Sequence, residues 1–193
     1  MPDFFGRVES PLPDLSVVIA MSALHATVLT AFKNKGWAYR EVSEMEVVES
    51  NFEAYHTKVP VHVQSYGEMH VLGVVATASI TVPHTHKSRA AELLMRVNRD
   101  LNLGNFELDW DQGTVVFRQG QVFSKHRYDE SIIVNLVHNA IAEMDRLTPY
   151  LAELCKSTAA MLPLLDLQQL LRREDLLPVV PEDDEDEEQP LRA

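Results

Sequence analysis

The sequence predicts an α+β domain: an antiparallel sheet of about five strands with helices on one face, ordered helix, three strands, helix, two strands, helix. Three stretches carry that expectation. Residues 89–118, RAAELLMRVNRDLNLGNFELDWDQGTVVFR, read as an amphipathic helix, a glycine stop and a β-hairpin. Met69 to Val82 is rich in β-branched residues and apolar on both parities, as a buried strand is. Ile133, Val137, Ala140, Met144, Leu147, Leu151 and Leu154 repeat at a strict 4-3-4-3-4-3 spacing, the seam of a long packed helix.

In chain order, residues 1–14 hold Pro2, Pro11 and Pro13 and read as a flexible leader. The first helix is expected from about Ser16, as N-cap, to Lys35, with Gly36 as its stop. Val18, Met21, His25, Val28, Leu29 and Phe32 form its inward stripe. Trp37 to Val48 alternates as one strand, and Val59, Val61 and Val63 mark a second, with Pro60 tolerable only near a strand start or on an edge. A Tyr66-Gly67 turn leads into the third strand, which Pro83 ends. The second helix is expected from about Thr85 to Asn102, with Gly104 supplying a left-handed stop. Phe106, Leu108 and Trp110 alternate against Glu107 and Asp109, Asp111-Gln112-Gly113 turns, and Val115 and Phe117 return. Asp129 is the expected N-cap of the longest helix, which Pro149 should kink. Residues 15–157 then make the main domain, 158–181 a helical extension with an amphipathic piece from Leu164 to Leu177, and 182–193 an acidic disordered tail.

Composition narrows the function classes. A chain of 193 residues with 46% apolar content can bury one substantial core. Of the net charge of −12, the tail from Glu182 to Ala193 holds −6, so the body is acidic too and repels nucleic-acid phosphates and anionic membranes. The single cysteine, Cys155, allows no internal disulfide, which suits a reducing compartment. The run Leu15 to Phe32 contains His25, two serines and two threonines and lacks a basic leader, so it reads as a helix of a cytoplasmic protein and not as a membrane span.

The residues LLMRVNRDLNLGNFELDWDQGTVVFR resemble the YbjN family, in which a helix ends in Asn-x-x-x-Asn before Gly-x-Phe and an acidic hairpin with a glycine turn. Here these are Asn98, Asn102, Gly104, Phe106, Asp109 and Gly113. DESIIVNLVHNAIAEMDRLTPYLAEL is similar to that family's last helix, including Asp145 and Pro149, and the resemblance covers about residues 16–155. It implies a type III secretion chaperone-like fold in a bacterial, cytoplasmic protein labelled a sensory-transduction regulator, with no established catalytic activity or cofactor. Secretion chaperones of similar fold act as homodimers that hold client segments. The acidic tail and the Leu164–Leu177 piece lie outside the resemblance.

Little in the chain points to bond-making chemistry. Asn98 and Asn102, four apart, should share a helix face, where they either bond the carbonyls of the helix end or meet a partner's backbone. With Phe106 and Trp110 they are the candidate partner-binding residues. His84 and His86, and His62 and His70, invite a metal, but the chain has no cysteine pair or His-x-x-x-His spacing to anchor one, so no metal is expected. There is no Gly-x-Ser-x-Gly, phosphate loop or dinucleotide fingerprint. Glu107 and Asp109 read as an outward acidic stripe rather than a catalytic pair. The expectation is therefore a non-enzymatic, chaperone-like or regulatory module without a cofactor, holding a partner protein segment and able to form a homodimer. The alternative is a regulator that answers a small ligand in a pocket between the sheet and the long helix.

Overall fold

A left-handed residue divides what the sequence presents as one strand. Glu46 has φ +50°, so the stretch from Trp37 to Val48 reverses direction instead of running through. The results are β1 (Arg40–Val42) and β2 (Val47–Glu53), paired antiparallel with Val42 opposite Val47. The computed structural model describes residues 21–42 and 45–176. In it β3 (Lys58–Tyr66), β4 (Val71–Thr81), β5 (Asn105–Leu108) and β6 (Thr114–Val122) complete an antiparallel sheet in the order β1-β2-β3-β4-β6-β5. The sheet is antiparallel as expected and has six strands, where about five were expected. Pro60 is the third residue of β3, and β4 pairs with β3 only from Val61 onward, so its missing N–H disrupts no rung on that side.

Strand parity divides the sheet into two faces. Val61 and Val63 of β3, Leu72, Val74 and Ala76 of β4, and Val115 and Phe117 of β6 point into one buried core. The helices lie on that face. α1 (Ala23–Asn34) starts at an N-cap on Ser22, whose side chain accepts from the His25 N–H. The expected start at Ser16 lies outside the described residues, and the helix begins only at Ala23. Its end is as expected: Gly36 has φ +66°, and the Trp37 N–H returns to the Phe32 carbonyl at 3.0 Å. Trp37 then packs edge-on against Phe32, Phe52 and His138, joining α1, β2 and the long helix.

α2 (Lys87–Asn98) is shorter than the expected 85–102. A 3-10 turn over His84–His86 precedes it, and it stops at Asn98 because that side chain turns to serve the next strand. Asn102 is therefore beyond the helix and shares no face with Asn98. α3 (Glu130–Lys156) opens on the Asp129 cap, whose carboxylate accepts from the Ser131 N–H at 2.8 Å, and continues through Pro149. All seven residues of its 4-3 seam are buried against the sheet and α1. The seam is thus core. Beyond α3, Leu162, the short α4 (Leu167–Leu171) and its buried Leu167 and Leu170 fold the extension back onto the domain.

Candidate functional site

Among the described residues, no helix lies over the second face of the sheet, opposite the helical layer. Parity places His62, Val75, Thr77, Val116, Arg118 and Glu107 there, most of them half-buried by their neighbours alone. Arg118 donates from Nε to Glu107 Oε1 at 3.0 Å across the β5–β6 pair, and His62 Nδ1 stands 3.8 Å from Glu49 Oε1 across β2–β3. Between these pairs run the apolar side chains of Val75 and Val116. A shallow depression of about 340 Å³ lies at Glu49, Asn51, Pro60, His62 and Thr77. The charges are matched and spread out, so nothing there converges on a reacting atom. An apolar centre with a paired polar rim is the composition of a protein contact.

The structure separates the four candidate residues. Asn98 Nδ2 donates to the Phe106 carbonyl at 2.9 Å, and its Oδ1 accepts from the Phe106 N–H at 2.7 Å. That pair of hydrogen bonds to the backbone of one residue ties the end of α2 to the start of β5. Phe106 is buried, its ring 5.0 Å from Phe117, and is a core residue. Asn102 is exposed in the following loop. Trp110 is 56% exposed in the β5–β6 turn and is the one of the four with an apolar surface in solvent. Lys87 holds that turn. Its buried ammonium donates to the carbonyls of Trp110 at 2.6 Å and Asp111 at 3.0 Å. The signal for Lys87 was available, since it stands three residues before Ala90 and seven before Leu94 on the inward stripe of α2.

The histidines serve separate contacts. His86 Nε2 bonds the Ser157 carbonyl at 2.7 Å, and His70, left-handed at φ +55°, sets Nδ1 2.8 Å from the Tyr128 hydroxyl. His62 and His70 do not share a site. His25, fully buried, has Nδ1 3.3 Å from Ser65 Oγ, while Glu41 Oε1 stands 3.4 Å from Nε2 and out of line for a hydrogen bond. This Ser-His-Glu row resembles a nucleophile relay in its order alone: Ser65 and His25 are both buried, so no substrate carbonyl reaches Oγ. Among the described residues no three His, Cys, Asp or Glu side chains are grouped to hold a metal. Burial raises the Cys155 thiol above its ordinary value, which makes it a poorer nucleophile. Among the described residues no helix is long and apolar enough to cross a membrane. A cavity of about 330 Å³ between the end of α3 and the extension is lined by Ser157, Met161, Leu164 and Arg173, among others.

Comparison with known proteins agrees with this geometry. No curated protein matches the chain. A chain in the crystal structure of the ExsC-ExsE complex has a similar fold, with a TM-score of 0.53 at 12% identity, over 72% of this chain and 100% of that one. Residues 25–153 match the model of the family YbjN, described as "Putative bacterial sensory transduction regulator". That span runs from within α1 to within the last turn of α3 and includes the Asn98 junction, the β5–β6 hairpin and Asp145. The chain belongs to the YbjN family and carries the type III secretion chaperone-like α+β fold.

Proposed function

We propose that this protein is a non-enzymatic binding module, chaperone-like or regulatory, that holds a segment of a partner protein in the bacterial cytoplasm. The observation that carries the reading is the sheet face that no helix among the described residues covers, with Val75 and Val116 at its centre and the Arg118–Glu107 and His62–Glu49 pairs around them. An extended or helical segment laid over it would bury the valines and keep the charges at the rim. The similar fold comes from a structure of two proteins in complex, which supports a protein as the occupant. Trp110 extends the apolar surface at the β5–β6 turn. Because the seam of α3 is occupied by the core, a homodimer would form through the sheet face, in competition with the partner.

The test is affinity purification from the native host, followed by reconstitution with purified components. The full chain should retain a reproducible partner, the Val116→Arg variant should lose it, and removing residues 182–193 should leave it bound. No recovered partner, or one that binds Val116→Arg equally well, would end the proposal. The alternative, a small-ligand regulator with a pocket between the sheet and α3, has less support, since among the described residues the α3 seam packs into the core against the sheet.

A further inference from the structure

A basic cavity interrupts the acidic body where α2 meets α4. It measures about 230 Å³ and is lined by Arg96, Arg99 and Asp100 at the end of α2 and by Gln168, Leu171 and Arg172 at α4. Three guanidiniums thus line one concave site from two elements, and their counter-charges are shared. One oxygen of Glu92 accepts from Arg89, and the other accepts from Nε and a terminal nitrogen of Arg96 at 3.0 and 2.7 Å. Asp100 stands 3.1 Å from Nε of Arg99. The neighbouring Arg173 takes Glu153 and Asp175, and among the described residues no carboxylate pairs with Arg172. Asp166, at the start of α4, lines the cavity on the other side of the extension. Arg89, Arg96, Arg99 and Arg172 therefore divide only Glu92 and Asp100 among them.

Cations in the last turn of a helix offset its dipole, which accounts for Arg96 and Arg99 on α2. Arg172 is different. It caps a helix of five residues, with little dipole to offset, and stands beside charges of its own sign. A counter-anion between the guanidiniums removes that repulsion. A phosphoryl group suits the site better than a carboxylate, because its oxygens spread in three directions to meet forks arriving from two helices. The cavity is smaller than the clefts of roughly 300–1,000 Å³ that enclose a drug-sized ligand, so it takes an anionic head and leaves any organic body outside. The geometry points to a phosphate site between α2 and α4, in which Arg96, Arg99, Arg172 and the Gln168 amide hold the phosphoryl group of a small molecule. This site lies on helices, away from the open sheet face, and does not depend on what that face binds.

Equilibrium dialysis of the full chain against radiolabelled inorganic phosphate tests it, at neutral pH with chloride holding the ionic strength constant. Phosphate should bind saturably at a single site per chain. Arg172→Ala, at an exposed position, should weaken binding about tenfold or more, as loss of a charged hydrogen bond does. Arg172→Lys keeps the charge without the fork and should fall between the two. Lys125→Ala removes an exposed positive charge from the loop before α3 and should bind as the parent does. Absence of saturable binding, succinate competing as well as phosphate, or equal weakening in Arg172→Ala and Lys125→Ala would each overturn the inference. Binding that emerges only when residues 182–193 are removed would overturn it too, by making the chain's own acids the counter-charge.

Discussion

The carboxylate of Asp145 closes the β2–β3 turn from the middle of α3. One oxygen accepts from the His56 backbone N–H at 2.7 Å, and the other stands 3.1 Å from that residue's ring Nδ1, across 89 residues of chain. Asp145 is nearly buried among the seam residues of α3, so its charge is tolerated because both oxygens have partners. Replacement by Ala would leave the His56 N–H unpaired in a half-buried position, at a cost of about 1–3 kcal/mol. Urea denaturation of Asp145→Ala should show a lower midpoint with an unchanged slope, and His56→Ala, which keeps the backbone donor, should lose less. An equal loss in the two variants would place the interaction in the ring and not in the peptide.

Asn98 and Asn102 should differ sharply on mutation although they share a motif. Asn98→Ala removes both hydrogen bonds to the Phe106 backbone and should cost about 1–3 kcal/mol. Asn102→Ala, in an exposed loop, should stay within roughly 0.5 kcal/mol of the parent. Thermal unfolding of the two variants side by side measures the contrast, and matching melting points would refute it.

Two glycines with positive φ should also rank in a definite order. Gly36 has open space around its missing Cβ, so Gly36→Ala incurs only the left-handed backbone term, about 1–2 kcal/mol. At Gly113, with φ +74°, a Cβ would lie 2.3 Å from the Val82 carbonyl oxygen, inside contact distance of backbone. Gly113→Ala must therefore move the β5–β6 turn or the end of β4 and should destabilise more than Gly36→Ala. Denaturant midpoints decide the order.

Burial of Cys155 predicts slow thiol chemistry. At neutral pH a maleimide or disulfide reagent should modify the folded protein far more slowly than the same protein in urea, because the raised thiol pKa and the half-buried position both reduce available thiolate. Equal rates in the two states would contradict the assignment.

Acid should weaken the ion pairs along α2 and at the end of α3. The Arg96 side-chain bonds hold Glu92 below the usual carboxylate range, with Arg89 adding to the effect, and Lys156 does the same for Glu153. A carboxyl with a depressed folded pKa contributes stability that is complete above its unfolded value and is lost as pH falls through the folded one. Stability should therefore decline below about pH 4, and Glu92→Gln should flatten that decline without altering the midpoint trend between about pH 6 and 8. Urea midpoints over the acid range provide the measurement.

The sequence exposed whatever depends on periodicity and on residues with a single structural use. The α3 seam, the Asp129 cap, the Gly36 stop and the Gly113 turn were all readable because each follows from local geometry. The division at Glu46 was not, since nothing in a glutamate announces φ +50°, and the residues on either side keep one parity through the reversal. Asn98 and Asn102 looked alike because helix length was read from spacing, whereas the helix ends where Asn98 finds a tertiary partner in Phe106. Lys87 was legible in principle, as a lone cation on an apolar stripe, but its acceptors lie more than twenty residues away. The open sheet face could be inferred from strand alternation, yet which residues line it depends on register, which only pairing fixes.

The two borders of the sheet are brief. β1 offers three residues and β5 four, where the inner strands run to nine and eleven. A visiting polypeptide that tried to extend the ladder would find only a few rungs before the main chain turned away, too few to template a fibril or to grip by backbone alone. Selectivity in any guest would then have to be written in its side chains, and the molecule would be protected from stacking on copies of itself.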